Sequence, residues 1–167
     1  MRGGASWSPD GKWIAVAADD GDGSHVFKIP IAGGEPIRLV DTLSYNPVWL
    51  PDGNLIFYSE QQGGSRFVLK AIRPDKTPVF IPDISVVYTI ATSYRFLPGH
   101  NSLIVLGGDF RHQNFYQVDL NTGEQHRLTD LQPGFQVQNF DVSFDGGQIV
   151  FDRLPENADV VLINLAK

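Results

Sequence analysis

Apolar residues along this chain are grouped in short continuous runs, and each run directly follows a turn sequence. The runs read WIAVA, LIFY, LIVL and QIVF, and they mix β-branched with aromatic residues. This composition is typical of β-strands, and a strand without polar alternation is expected to be buried on both faces. Seventeen Gly and eleven Pro suit a fold with many turns. No segment has a convincing helical period, so the pattern predicts an all-β fold.

The turns and the runs that follow them form a repeat. Its four copies are WSPDGKWIAV, WLPDGNLIFY, FLPGHNSLIVL and VSFDGGQIVF. The proline position recurs at intervals of 42, 47 and 46 residues, at Pro9, Pro51, Pro98 and Phe144. Such a period with strand–turn–strand content is typical of a β-propeller blade. The third copy lacks the Asp-Gly pair and the fourth has Phe144 in place of proline, which predicts looser turns there.

Further strands complete each unit. We predict third strands at residues 26–31, 67–72, 115–120 and 160–165, and outer strands at 36–40, 78–81 and 126–129. The chain is therefore expected to be a β-propeller of four four-stranded antiparallel blade units, at about residues 4–40, 45–82, 92–129 and 138–166. The last unit lacks its outer strand.

The repeats WSPDGKWIAV and WLPDGNLIFY resemble those of TolB-like β-propellers, which are distant relatives of WD-repeat proteins. The region from YQVDLNTGEQHRLTD to FDVSFDGGQIVFDRLPENADVVLINL is similar to the last blades of propeller domains in bacterial sensor kinases and winged-helix regulators. The resemblance implies the C-terminal blades of a bacterial propeller domain and an extracytoplasmic or periplasmic location. It implies little about activity, because this fold hosts many functions.

Four units are fewer than TolB-like rings usually contain, so we expect the chain to be part of a longer propeller. A part-ring would expose blade faces and an unpaired strand edge, which favour association. We expect two copies to pair into an eight-bladed homodimeric ring. A compact four-bladed ring is the alternative.

Composition narrows the classes of partner. Thirteen Lys and Arg against nineteen Asp and Glu give a net charge of −6, and the absence of a basic cluster argues against nucleic acid. The absence of Cys excludes disulfides, thiolate metal sites and cysteine nucleophiles. The chain has no apolar run long enough to span a membrane, and its first residues, MRGGASWSPDG, do not resemble a signal peptide.

Four patterns in the sequence could be chemical sites, and none of them predicts catalysis, a metal or a cofactor. Residues 19–24, DDGDGS, lack the Gly and Glu that an EF-hand loop requires, so we expect a solvated hairpin tip. The chain has no G-x-S-x-G nucleophile elbow, and its SPDG turns do not match the sialidase Asp-box. The four histidines form no close ligand pair. The repeated aromatic residues Trp7, Trp49 and Phe96 are interpreted as core anchors between blades rather than as a stacking platform.

In this fold the loops between second and third strands share one face with the connections between blades. That face would gather residues 19–25, 59–66, 107–114 and 152–159. Arginine and tyrosine are frequent at protein interfaces. The candidate partner-binding residues are Arg66, Arg111, His112, Arg153, Tyr45 and Tyr94.

The sequence therefore predicts a non-catalytic binding or scaffolding module, the sensor or protein-interaction end of a longer bacterial protein. A protein or peptide is the expected partner. The alternative is an accessory propeller fragment of a peptidase or polysaccharide lyase, which would shape access of the substrate and supply no nucleophile.

Overall fold

The computed structural model describes residues 4–64, 66–87, 93–99, 101–109, 112–134, 136–153 and 159–165. In this part of the chain the fold is all-β, without a helix, and the four antiparallel sheets are blade units of a β-propeller fold. The predicted fold class is confirmed. The chain divides into two compact units, Met1–Asp83 and Ile84–Lys167, and each contains two blades.

The first unit holds eight strands in two meanders. Blade 1 consists of β1 (Ser6–Trp7), β2 (Trp13–Asp19), β3 (Ser24–Pro30) and β4 (Ile37–Arg38). Blade 2 consists of β5 (Ser44–Trp49), β6 (Ile56–Gln61), β7 (Phe67–Ile72) and β8 (Pro78–Val79). Consecutive strands pair antiparallel, as the short turns between them require.

The second unit begins with the short strand β9 (Ser85–Val86). Blade 3 consists of β10 (Tyr94–Phe96), β11 (Ser102–Asp109), β12 (His112–Asp119) and β13 (Gln125–Arg127). Blade 4 has only β14 (Phe140–Val142), β15 (Gln148–Arg153) and β16 (Asp159–Asn164). In the described residues this sheet lacks an outer strand, as the sequence predicted.

The outer strands are shorter than the sequence predicted. β4 and β8 have two residues each and β13 has three. In blade 1, just beyond β4, the Leu39 amide still donates to the carbonyl oxygen of Val26 in β3, at 2.8 Å. The Leu39 and Val40 side chains pack in the core of the first unit, where they are 5% and 7% exposed.

The first-to-second strand turns share one hydrogen-bond pattern. The amides of Gly11 and Gly146 donate to the carbonyl oxygens of Ser8 and Ser143, and both glycines have a positive φ, of 69° and 70°. In both turns the serine hydroxyl donates to the aspartate two residues later, at 2.6 Å. The turn at Phe144 is therefore as well bonded as the SPDG turn, and the prediction of a looser turn there was wrong. The Ser–Asp pair and glycine specify this turn without proline.

Each unit has its own apolar core. In the first unit, Ala15 and Val26 of blade 1 pack with Trp49, Ile56 and Tyr58 of blade 2. In the second unit, Phe115 of blade 3 contacts Phe140 and Phe151 of blade 4, with ring centroids 5.0 and 5.1 Å apart. The apolar second strands supply much of both cores, as their continuous runs predicted.

The three repeated aromatic residues are not equivalent. Trp49 is 6% exposed and belongs to the core of the first unit. Trp7 is 59% exposed, and Phe96 is half-buried. The interpretation of all three as core anchors is therefore right for Trp49 and wrong for Trp7, because a shared position in the repeat does not ensure a neighbouring blade on the same side.

Candidate functional site

The first unit contains an open cleft of about 500 Å³ at the end of blades 1 and 2 where first strands turn into second strands. We call it the turn cleft. Its walls come from the β1–β2 turn, the β5–β6 turn and the β7–β8 turn. The lining residues are Ser8, Pro9, Asp10, Trp13, Trp49, Asp52, Gly53, Asn54 and Pro74.

Asp10 is fixed by its own turn. Its Oδ1 accepts the Ser8 hydroxyl at 2.6 Å and the Lys12 amide at 3.0 Å. These hydrogen bonds, with that of Ser8 the stronger, hold the pKa of the Asp10 carboxyl below its usual value. The Lys12 ammonium lies 3.9 Å from Oδ2, but its side chain is 77% exposed. Asp10 therefore presents an ionised carboxylate at a fixed place in the wall.

Asp52 occupies the equivalent turn position in blade 2. Its Oδ1 accepts the Asn54 amide and its Oδ2 accepts the Asn54 side chain, both at 2.9 Å. Among the described residues no basic side chain lies within 4 Å of this carboxylate. Gly53 next to it has φ of +78°, and a Cβ built on it would lie 3.6 Å from the Cδ of Pro9 in blade 1, so the two turns approach closely. The two turns thereby place two carboxylates in one cleft.

Trp13 provides an aromatic wall. It is half-buried and packs against the apolar core of the first unit. The Lys28 ammonium lies 4.4 Å from the centroid of the Trp13 ring and donates to the carbonyl oxygen of Pro74 at 2.8 Å. This geometry is a cation–π contact, so the ring already holds one cation of the chain itself.

Trp49 also lines the cleft, and within the described ranges its indole nitrogen makes no hydrogen bond. Its backbone amide donates to the Ser6 hydroxyl at 3.0 Å, which ties β5 to blade 1. Its Nε1 is buried and finds no acceptor in the part of the chain that the structure describes. A buried donor without an acceptor is costly.

The walls of the turn cleft combine two tryptophan side chains, proline and two carboxylates. Over the described ranges, no group of three or more His, Asp and Glu side chains could hold a metal ion. No helix in those ranges is long and apolar enough to cross a membrane.

The residues predicted to form a binding face lie elsewhere. Tyr94 is fully buried and Tyr45 is 8% exposed with its ring edge on Phe67, so both belong to the core rather than to a binding surface. Arg66 is exposed and lies 3.7 Å from Asp83. His112 is exposed at the start of β12.

Two of the predicted residues lie wholly or partly outside the described part of the chain. Arg111 lies outside the described residues. Arg153 ends β15, and its side chain is outside the description. Of the six, therefore, Arg66 and His112 are the ones whose side chains are described as exposed.

Polar groups on the predicted face mostly hold the chain together. Asp152 accepts the amides of Gln138 and Asn139 at 2.8 and 2.9 Å. Asn114 likewise accepts the Leu131 amide at 2.9 Å. These hydrogen bonds hold the connection between blades 3 and 4 in place. The Asp152 and Asn114 side chains therefore have fewer free acceptor positions for a partner.

Residues 19–24 also contain a polar group that is bonded within the chain. Asp20 pairs with Arg38 at 2.9 Å and with buried His25 at 3.1 Å. Burial alone would raise the pKa of Asp20, but the Asp22 amide and the His25 and Arg38 side chains outweigh it and lower the pKa. The acidic loop thus supplies an internal ion pair at the hairpin between β2 and β3.

Sequence reasoning missed Trp13, Asp10 and Asp52 as site residues. Asp10 and Asp52 were recognised only as turn formers, and Trp13 only as part of an apolar strand. The available signal was the repeat itself, because equal turns on neighbouring blades bring equal residues to the same end of the sheets. What the repeat could not show was how closely the two turns approach.

Solved structures of similar fold include TolB from Acinetobacter baumannii, with a TM-score of 0.77 and 19% identity over 96% of this chain and 40% of that one. A protein from Agrobacterium tumefaciens described as a TolB matches with a TM-score of 0.70 and 20% identity, over 98% of this chain and 58% of its own length. A prolyl endopeptidase matches with a TM-score of 0.61 and 14% identity, over 98% of this chain and 27% of that one.

The chain thus spans less than two thirds of the length of either TolB structure. At these identities the likeness shows the fold, which is that of a TolB-like β-propeller. No protein-family model matches the chain. No curated protein has a significantly similar sequence.

Proposed function

We propose that this chain is a non-catalytic binding module, the sensor or protein-interaction end of a longer bacterial protein outside the cytoplasm. The observation that carries this proposal is the turn cleft, an open cavity of about 500 Å³ that combines Trp13 and Trp49 with two carboxylates. The likeness to TolB structures supports a propeller that binds other proteins, and the extracytoplasmic location rests on the same likeness.

The size and lining of the cleft favour one or two side chains of a partner protein. Binding sites for small ligands have volumes of about 300–1,000 Å³ and combine apolar walls with a few polar groups. The turn cleft fits this range, but it is open to solvent along the turns. An open cleft encloses part of a chain better than it encloses a whole small molecule.

The experiment is a selection of peptides from a displayed library of random sequences on the purified chain. We expect a consensus whose binding is lost in Trp13→Ala and kept in Trp7→Ala, because Trp13 lines the cleft and Trp7 does not. Binding that survives Trp13→Ala would place the partner on another surface. Failure to select any peptide would count against a peptide-binding module.

The alternative function, an accessory propeller of an enzyme, is favoured by the likeness to a prolyl endopeptidase. The adjoining coding sequence discriminates between the two. A hydrolase domain in the same reading frame would favour the accessory role, whereas a kinase or DNA-binding domain would favour the binding module. Under both proposals the chain alone does not cleave peptide nitroanilides.

We also propose that the chain associates with itself through blade 4. On β16, Val161 and Ile163 pack inward, whereas Val160 and Leu162 are 78% and 55% exposed. In the described residues the outer edge of β16 has no neighbouring strand. A free edge beside exposed apolar side chains favours pairing with another chain. Light scattering at several concentrations should show a species of twice the chain mass of 18.5 kDa.

A further inference from the structure

We infer that blade 4 of one copy of the chain binds blade 1 of a second copy, in the same way that blade 1 packs on blade 2 within one copy. The exposed Trp7 of one copy packs on Val150, Val160 and Leu162 of the other. This inference rests on the self-association proposed above, and it names the second surface of that contact.

The contact between blades 1 and 2 shows how one blade covers its neighbour. Trp49, in the first strand of blade 2, lies in one apolar cluster with Ala15 and Val26 of blade 1. The Trp49 amide also donates to the Ser6 hydroxyl of blade 1, at 3.0 Å. A tryptophan side chain and a main-chain amide of one blade therefore meet small apolar residues and an acceptor oxygen of the other.

Blade 4 presents an equivalent surface to solvent, and we call it the blade 4 face. By repeat position and strand pairing, its residues and their counterparts in blade 1 are Asp141 for Ser6, Val150 for Ala15 and Val160 for Val26. Val160 is 78% exposed, and Leu162, which pairs with Val150, is 55% exposed. The Asp141 carboxylate, 69% exposed, supplies acceptor oxygens where Ser6 supplies its hydroxyl. This surface thus has the features that hold Trp49 in the first unit.

Blade 1 carries the matching tryptophan on the side that faces away from blade 2. Because the Ser6 hydroxyl bonds to blade 2, the side chain of Trp7, the next residue in β1, points to the opposite face of the sheet. Trp7 pairs there with Ile14, which is half-buried. Trp7 holds the repeat position of Trp49, yet it is 59% exposed, against 6% for Trp49. Its indole is therefore available to a neighbour of the kind that Trp49 already has.

The backbone of Trp7 is also oriented as the contact requires. The Ser8 amide donates to the carbonyl oxygen of Trp13, so the Trp7 amide, one residue earlier, points away from β2. In blade 2 the Leu50 amide is bonded within the turn in the same way, and the Trp49 amide next to it bonds to blade 1. Asp141 of a second copy would accept the Trp7 amide as Ser6 accepts that of Trp49.

The other first strands of the chain do not offer this residue. Trp49 and Val142 pack on the cores of their own units, and Phe96 is half-buried. Trp7 is therefore the first-strand residue that a second copy can present to the blade 4 face. The contact is heterologous, because it joins different surfaces of the two copies. Pairing of the β16 edge with itself would be isologous and would not involve Trp7.

The test is complementation between two variants, followed by light scattering. Trp7→Asp removes the indole and places a carboxylate near Asp141, whereas Leu162→Lys places an ammonium group on the blade 4 face. Phe80→Asp is the matched control, because Phe80 is an aromatic residue that follows β8 in blade 2 and is 96% exposed. The urea midpoint of each variant shows that it folds.

We expect Trp7→Asp and Leu162→Lys, each alone, to raise the Kd of pairing at least about tenfold, because aromatic residues at the centre of an interface contribute most to its affinity. An equimolar mixture should restore the species of twice the chain mass. The reason is that the Trp7→Asp copy keeps an intact blade 4 and the Leu162→Lys copy keeps an intact blade 1. Phe80→Asp should pair as the unchanged chain does.

Other results separate this inference from the proposals above. If Leu162→Lys abolished pairing and Trp7→Asp did not, the inference would be overturned and pairing through the β16 edge would stand. A mixture that stayed monomeric would overturn the heterologous contact. An unchanged chain that is monomeric at every concentration would overturn both the inference and the proposed self-association. The peptide selection decides on the turn cleft separately, because neither Trp7 nor Leu162 lines it.

Discussion

Trp49 and Trp7 hold the same position in the repeat but differ in surroundings. Trp49 is 6% exposed and contacts the apolar core of the first unit, whereas Trp7 is 59% exposed. Trp49→Ala is expected to lower the free energy of unfolding by about 3–5 kcal/mol, the cost of a large cavity. Trp7→Ala should cost about 1 kcal/mol or less. Urea denaturation of both variants measures the difference, and equal losses would contradict the assignment of Trp49 to the core.

Asp152 illustrates how single carboxylates stabilise the connections between blades. Burial raises its pKa, but hydrogen bonds from the amide and side chain of Asn139 and from the Gln138 amide outweigh burial, so the pKa is lowered. A lowered pKa in the folded state contributes stability above the ordinary aspartate pKa of about 3.9, and this contribution is lost as the pH falls through the folded-state value.

Asp152→Asn is therefore expected to destabilise the protein by about 1 kcal/mol at pH 7 and by less at pH 3. Urea denaturation at both pH values gives the two differences. Asp22→Asn is the control, because the Asp22 carboxylate accepts no hydrogen bond among the described residues and should change stability little at either pH. A loss for Asp152→Asn that stayed the same at pH 3 would exclude the ionised carboxylate as its cause.

At the residue scale the sequence predicted positions in the repeat better than surroundings. The Ser–Asp–Gly turn was recognisable because its hydrogen bonds are local: Ser8 and Asp10 contact within one turn. Tyr94 was placed on a binding face, yet it is fully buried. Its burial depends on residues distant in sequence, which a local pattern does not contain.

The strands also differ in how well the local sequence predicts them. The second strands were predictable because a buried strand must be apolar on both faces. The outer strands are shorter than predicted: Leu39 and Val40 are as apolar as strand residues, but they lie beyond the end of β4 and pack in the core of the first unit. The turn cleft was missed because it depends on the approach of two turns rather than on either one.

β16 has one apolar face towards the core and one towards solvent. Leu162 is 55% exposed beside the free edge, so Leu162→Lys should reduce self-association, since a lysine on an edge strand opposes pairing with another chain. Ile163→Lys is the contrasting variant. Ile163 packs on the core of the second unit, so its replacement should instead lower the unfolding midpoint. Light scattering and thermal denaturation report the two effects separately, and unchanged mass for Leu162→Lys would argue against pairing through this edge.

At the scale of the whole molecule the acidic charge sets the long-range interactions. A net charge of −6 is expected to repel nucleic acid, because binding to phosphates depends on clustered basic residues. Fluorescence anisotropy with a labelled DNA duplex should detect no binding at physiological salt. Tight, salt-sensitive binding would show that a basic surface exists after all.

The turn at Phe144 has a practical consequence. The Ser143 and Asp145 side chains and Gly146 close this turn, so the side chain at its second position is not needed to form it. That side chain is Phe144, which is 96% exposed to solvent. The chain contains no cysteine. Phe144→Cys would therefore introduce a single thiol at a hydrogen-bonded hairpin tip, at which a fluorophore, a spin label or a surface tether could be attached at one defined point of blade 4.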